Sequence, residues 1–214
     1  MKTVLAIAAV IVVLALFYFR FQSESGLVAL ERCKASVSEA QSWTVETTSQ
    51  PESPNYVTLT NRTKVSCPDS YESLFRSRTP DNVLKQQSTI HAHGVTYVEN
   101  GDGQWDENAR AFNPQIPTEC GKGPLLVQQT VFNAVIEIPR RRAGTITKGQ
   151  LETLDGVKCR EWSVDYGNEW PQMRAFTICI DTKTHLPRRI TFPYPESTDD
   201  FTGWNNTAVE APSR

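Results

Sequence analysis

Three histidines and five cysteines are the side chains of this 214-residue chain best suited to hold a metal. The densest arrangement is His91-Ala92-His93. On a strand both imidazoles would share one face, roughly 6–7 Å apart along the chain. A working zinc site needs at least one more ligand, and only His185 or a carboxylate brought in by the fold could supply it. The ligand set is incomplete, so the pattern predicts two solvent-facing histidines and no metal. The chain has no nucleophile elbow, no His-Glu-x-x-His, no phosphate-binding glycine loop and no dinucleotide fingerprint. Acidic pairs such as Asp199-Asp200 stand in turn-like segments with no apolar setting to raise a pKa, and are expected to be solvated. Arg140-Arg141-Arg142 reads as a solvated loop rather than a site for acidic head groups. Neither catalysis nor a cofactor is expected.

The cysteines point to a compartment rather than to a reaction. They include no Cys-x-x-Cys pair, which argues against a zinc module or a thioredoxin-type site and for disulfides in an oxidising space. A hairpin turning through residues 167–172 would set Cys159 directly opposite Cys179, with Trp162, Val164, Phe176 and Ile178 together on the apolar face. A slip of one residue would expose that whole set, so the pattern selects the register. Opposed Cβ atoms then lie close enough to be bridged. The first hairpin would return Cys67 to the end of the first helix, so Cys33–Cys67 is the expected second bond. Cys120 is left as the odd thiol.

Lys2 followed by an unbroken apolar run from Val4 to Phe19 is an export signal. Sixteen apolar residues are slightly too many for a signal-peptide core and slightly too few for a comfortable span. With Thr3, Phe21 and a snorkelling Arg20, residues 3–21 make a feasible anchor. The only cleavage candidate, Ser23-Glu24-Ser25, is poor. Cys33 follows Leu30-Glu31-Arg32, which is no lipidation site. The expected division is therefore 1–21 as signal-anchor or signal peptide and 22–214 as one folded domain outside the cytosol, periplasmic or otherwise extracytoplasmic and held at the inner membrane. Lys2 and Arg20 are the only basic residues ahead of the body, which carries the remaining 20 against all 24 acidic ones. That balance excludes a general nucleic-acid binder.

Residues 25–41 have apolar positions at steps of three or four (Leu27, Leu30, Cys33, Val37, Ala40) and predict one amphipathic helix capped by Ser25. From Ser42 the period changes to two. Trp43 and Val45, then Val57, Leu59, Thr63 and Val65, alternate with polar residues across the Pro51–Asn55 turn. Pairing Val45 with Asn61 would put both apolar sets on one face, giving a sheet wet on one side and covered on the other. Further strands are expected over 71–78, 87–93 and 95–99, a helix over 123–138, and a closing meander over 144–152, 157–166, 174–181 and 188–192. A last strand is expected near 204–210. Trp43, Phe75, Trp162, Phe176 and Phe192 fall mostly on the inferred inner face. Two helices are too few to cover nine or ten strands, so the sheet should close on itself or keep an apolar cavity.

An export signal, one amphipathic helix and a long antiparallel meander interrupted by a helix resemble the periplasmic lipoprotein-carrier superfamily, the LolA/LolB-like fold. The most specific stretches are Leu154-Asp155-Gly156-Val157-Lys158-Cys159-Arg160-Glu161-Trp162 and Thr177-Ile178-Cys179-Ile180-Asp181-Thr182-Lys183-Thr184-His185-Leu186-Pro187-Arg188-Arg189-Ile190. The His93-Gly94-Val95-Thr96-Tyr97 hairpin and the Val209-Glu210-Ala211-Pro212 ending also fit. The resemblance covers nearly all of residues 25–212. It implies an α+β domain, an open half-barrel of curved antiparallel sheet wrapping a few helices, whose concave apolar face holds acyl chains. This chain differs in lacking a lipidation cysteine and in carrying more cysteines.

The expected function is a membrane-tethered or exported envelope protein that binds a lipid or lipidated protein. The expected cavity residues are Trp43, Val45, Val57, Leu59, Phe75, Trp162, Phe176 and Ile178. The alternatives are an interaction or sensor module with a closed core that binds another envelope protein, and, least favoured, a metal-dependent enzyme resting on His91 and His93.

Overall fold

The computed structural model describes residues 25–49, 58–67, 70–81, 84–100, 103–107, 145–165, 175–193 and 196–212. Helix α1 (Gly26–Glu39) starts at Ser25, whose hydroxyl accepts the N–H of Val28 and so satisfies one of the amides a helix start leaves free. Leu30, Cys33 and Val37 recur on one face and are buried, as their spacing requires. The helix stops at Ala40, extended at ψ 134, whose N–H closes on the carbonyl of Val37. Beside its start, a Cβ on Gly26 would run into the side chain of Ile146, so only glycine lets the helix approach the sheet this closely.

Eleven strands follow: β1 (Ser42–Ser49), β2 (Thr58–Ser66), β3 (Ser70–Arg78), β4 (Leu84–Ala92), β5 (Val95–Glu99), β6 (Trp105–Glu107), β7 (Thr145–Leu154), β8 (Val157–Asp165), β9 (Ala175–Asp181), β10 (Pro187–Pro193) and β11 (Glu196–Thr202). They form one antiparallel sheet in the order β6-β5-β4-β3-β2-β1-β11-β10-β9-β8-β7. Two meanders thus spread in opposite directions and are joined at the β1–β11 pair, where Val45 faces Phe201 and Thr47 faces Asp199. Among the described residues no pairing joins β6 to β7, so the sheet is open. The open antiparallel sheet fits the half-barrel expected, but with a single helix among those residues the architecture is mostly sheet rather than clearly α+β. The expected helix over 123–138, the Arg140–Arg142 loop and the anchor over 3–21 lie outside the described residues. Among those described, no helix is long and apolar enough to cross a membrane.

Three expectations are corrected in detail. Val45 pairs with Thr63 rather than Asn61, and Cys159 pairs with Asp181 rather than Cys179. Both slips are of two residues, and a two-residue shift leaves every side chain on its expected face. Alternation therefore selects the face, while the length of the turn selects the pairing. Third, the segment near 204–210 is no strand. Gly203 and Asn205 take positive φ (63° and 57°), and Asn205 donates its N–H to the Ser42 carbonyl at 2.7 Å. The tail then runs across the outer face, where Val209 packs on Ile90 and Ala92.

The core lies between α1 and the inner face of the second meander. Leu30, Cys33 and Val37 pack there with Val45, Trp162, Val164, Phe176, Ile178, Ile190 and Phe201. Behind it the β9–β10 turn is held by Asp181. Its Oδ1 accepts the N–H groups of Lys183 (2.8 Å) and Thr184 (3.2 Å), and its Oδ2 accepts Arg188 at 3.0 Å. Burial would push this carboxyl up, but the hydrogen bonds from Lys183, Arg188 and Thr184 outweigh it and hold the pKa below the usual aspartate value. Its contribution to stability is therefore present above the unfolded aspartate pKa of about 3.9 and is lost as pH falls through the lower folded value. Asp181→Ala should cost about 2 kcal/mol at neutral pH and flatten the acid limb of a urea-midpoint against pH profile. An unchanged acid limb would show that Asp181 titrates as a solvated group.

Candidate functional site

The registers define which side chains share the inner face. One row crosses the second meander as Asp199, Ile190, Ile178, Trp162 and Lys148. The same row continues over the first meander as Thr47, Asn61, Phe75 and Gln87. The two halves differ in chemistry. The second meander is apolar and lies under α1, with the Lys148 ammonium 5.8 Å from the Trp162 ring centre at its margin. The first meander presents hydroxyls and amides (Thr63, Ser73, Thr89, Asn61, Gln87) around two apolar side chains, Leu59 and Phe75. Phe75 is 40% exposed, a large apolar surface on the face that elsewhere forms the core.

The expected cavity residues separate accordingly. Val45, Trp162, Phe176 and Ile178 are buried against α1 in the main core, and Trp43 is buried at the sheet's lower end with Ala40, Val65 and Trp204. Leu59 and Phe75 lie on the same face, on β2 and β3. Val57 lies outside the described residues. Among the described residues, the buried Trp43 indole N–H and Tyr71 hydroxyl on this face find no hydrogen-bond partner.

Asp199 was missed by the sequence reading. Far from being solvated, it is 5% exposed, on the inner face between Thr47 and Ile190. Burial pushes its carboxyl above the ordinary aspartate value, the hydrogen bond from Thr47 works against that, and the negative charge of Asp200 adds to it. The signal was there in the alternation: Asp199 is two residues from Phe201, so it shares that residue's face. Asp200 points to the opposite face and pairs with Arg189 at 2.6 Å.

The histidines form no site. His93 is in the β4–β5 turn at φ 54°, exposed, and does not share a strand face with His91. His91 stacks on Tyr71 (centroids 5.6 Å apart, 7° between planes) and its Nδ1 lies 2.9 Å from the Thr96 hydroxyl. Among the described residues no three His, Cys, Asp or Glu side chains gather as a metal would need.

Cys159 and Cys179 are joined by a disulfide, with Cα atoms 5.4 Å apart. They are diagonal rather than opposed, and sheet twist shortens one of the two diagonals of an antiparallel pair enough for the bond. The expected Cys33–Cys67 bond does not form. Cys33 is a free thiol in the main core, where burial pushes its pKa up and keeps it inert. Cys67 is disulfide-bonded, and Cys120 lies outside the described residues. Cys33 is drawn under the sheet by the same apolar face as Leu30 and Val37, which separates it from Cys67.

An open antiparallel sheet of eleven strands, with a helix on one half of its inner face, matches a crystal structure of LprF from Mycobacterium bovis. The match covers 88% of this chain and 97% of that one at 11% identity, with a TM-score of 0.61. The chain has a LolA/LolB-like fold. The lipoprotein LppX of Mycobacterium tuberculosis also matches, over 86% of this chain and 98% of its own, at 12% identity and a TM-score of 0.50. No family model and no curated protein matches the sequence. Identities this low carry the fold and nothing of function.

Proposed function

We propose that this protein is a non-enzymatic, extracytoplasmic binder of a lipid or lipidated ligand, held by the inner face of the first meander. The observation that carries the reading is Phe75, an exposed aromatic on the core-forming face, with Leu59 beside it and hydroxyls and amides around both. A surface of that composition suits an amphiphile, whose chain needs apolar contact and whose polar linkage needs hydrogen bonds. The buried half of the face makes a rigid wall beside it. The LolA/LolB-like fold supports the same reading, since the superfamily resemblance implies acyl chains on the concave face. The Cys159–Cys179 bond supports a site of action in an oxidising compartment, and residues 3–21 would tether the body to the membrane.

Leu59→Glu tests the reading, because Leu59 is only half-buried and lies outside the α1 core. Protein carrying this change should fold, with a melting temperature within a few degrees of the parent. It should lose most of the acyl-bearing material that organic extraction and mass spectrometry recover from the parent. Parent protein that yields no acyl-bearing material, yet captures a protein from envelope extracts, would favour the interaction module instead.

A further inference from the structure

Asp199 is an odd choice for its position. It stands in the row Ile190–Asp199–Thr47–Asn61, at the boundary between the apolar wall and the hydroxyl- and amide-bearing half of the inner face. A carboxyl buried to 5% exposure loses water hydration, a cost that threonine or valine at this strand position would avoid. The stabilising partner that normally accompanies a buried carboxylate is missing: Arg189 is engaged with Asp200 on the other face, and among the described residues only Thr47 donates to Asp199. A carboxylate offers about four acceptor positions, and the described residues fill only part of that capacity. On the far side of Thr47, the Asn61 carbonyl oxygen accepts the Ser73 hydroxyl at 3.1 Å, so its side-chain NH2 is the donor end that remains.

We propose that Asp199, with Thr47 and Asn61, is the polar anchor of the ligand site and selects amphiphiles that present hydroxyl or amide hydrogen-bond donors next to their acyl chains. The proposal rests on the acyl-ligand reading and narrows it to a ligand class, a glycerol-, sugar- or amide-linked lipid rather than a bare fatty ester. Donors from such a linkage would satisfy the carboxylate while the chain lies along Phe75 and Leu59. A site built around a buried hydrogen-bonding group rejects an analogue that lacks the matching group, because the protein's own group is then left unpaired.

The test compares monoolein with methyl oleate, which share an oleoyl chain and differ in the ester alcohol, glycerol with two free hydroxyls against methanol, as competitors of a fluorescent fatty acid on the full chain. The parent protein should prefer monoolein about tenfold. Asp199→Val should lose the preference, gaining affinity for methyl oleate because no carboxylate is left unpaired, and should melt at the same or a higher temperature. Asp199→Asn, which keeps the shape, serves the same purpose should the valine variant not fold. An equal affinity of the parent for both oleates, or a preference that survives both substitutions, would overturn the anchor and leave the acyl-ligand reading standing. Failure of both oleates to displace the probe, or of the probe to bind, would overturn both readings.

Discussion

Phe201→Ala is expected to cost about 4 kcal/mol, the largest loss from any single truncation considered for this chain. Phe201 is 1% exposed, directly opposite Val45 in the pair that joins the two meanders. Its ring stacks on Trp204 with centroids 5.9 Å apart, and Trp204 in turn packs on Trp43 and donates its indole N–H to the Pro187 carbonyl at 3.1 Å. One side chain thus ties α1, the end of β1, the β10 entry and the C-terminal tail together. Truncation would lose the transfer energy of the ring and leave a cavity that strands on both sides cannot collapse to fill. The urea midpoint should fall steeply with little change in slope. A loss below about 1.5 kcal/mol would show that the joint rests on the backbone pairing and not on this packing.

Removing the Cys159–Cys179 bond should cost about 3 kcal/mol, the chain-entropy value for a sequence separation of 20. Both cysteines are buried, so reductant must wait for the hairpin to open and reduction should be slow in the native state. The paired Cys159→Ser and Cys179→Ser variant should show the loss in equilibrium urea unfolding. Non-reducing peptide mapping of the parent should recover residues 159 and 179 in one linked pair. A peptide joining Cys159 elsewhere would contradict the β8–β9 register.

Local patterning determined the elements and their faces. The period of three to four in Leu30, Cys33 and Val37 specified α1, and the period of two in Trp162, Val164, Phe176 and Ile178 specified which side of β8 and β9 is buried. Gly94 marked a tight turn, where it takes φ 76°, and the Ile180-Asp181 to Leu186-Pro187 stretch marked the β9–β10 turn, although His93 falls in the first turn rather than on the strand. These features depend on near neighbours, and the sequence states them directly. The LolA/LolB-like fold was legible in the same way, from short turn motifs set in a meander.

Tertiary structure alone decided what depends on distant partners. The two-residue slips in the β1–β2 and β8–β9 registers were invisible because they preserve the alternation on which a register is read. The joining of β1 to β11 brings together residues 148 to 158 positions apart, for which no local signal exists. Alternation with Phe201 assigns Asp199 its face, but only that pairing sets it beside Thr47. The pairing also makes Val45, Trp162, Phe176 and Ile178 the packed core under α1 and leaves Leu59 and Phe75 on the part of the same face that α1 does not cover. Alternation says that a side chain points inward. What it meets there is decided by the strand and helix that arrive from elsewhere in the chain.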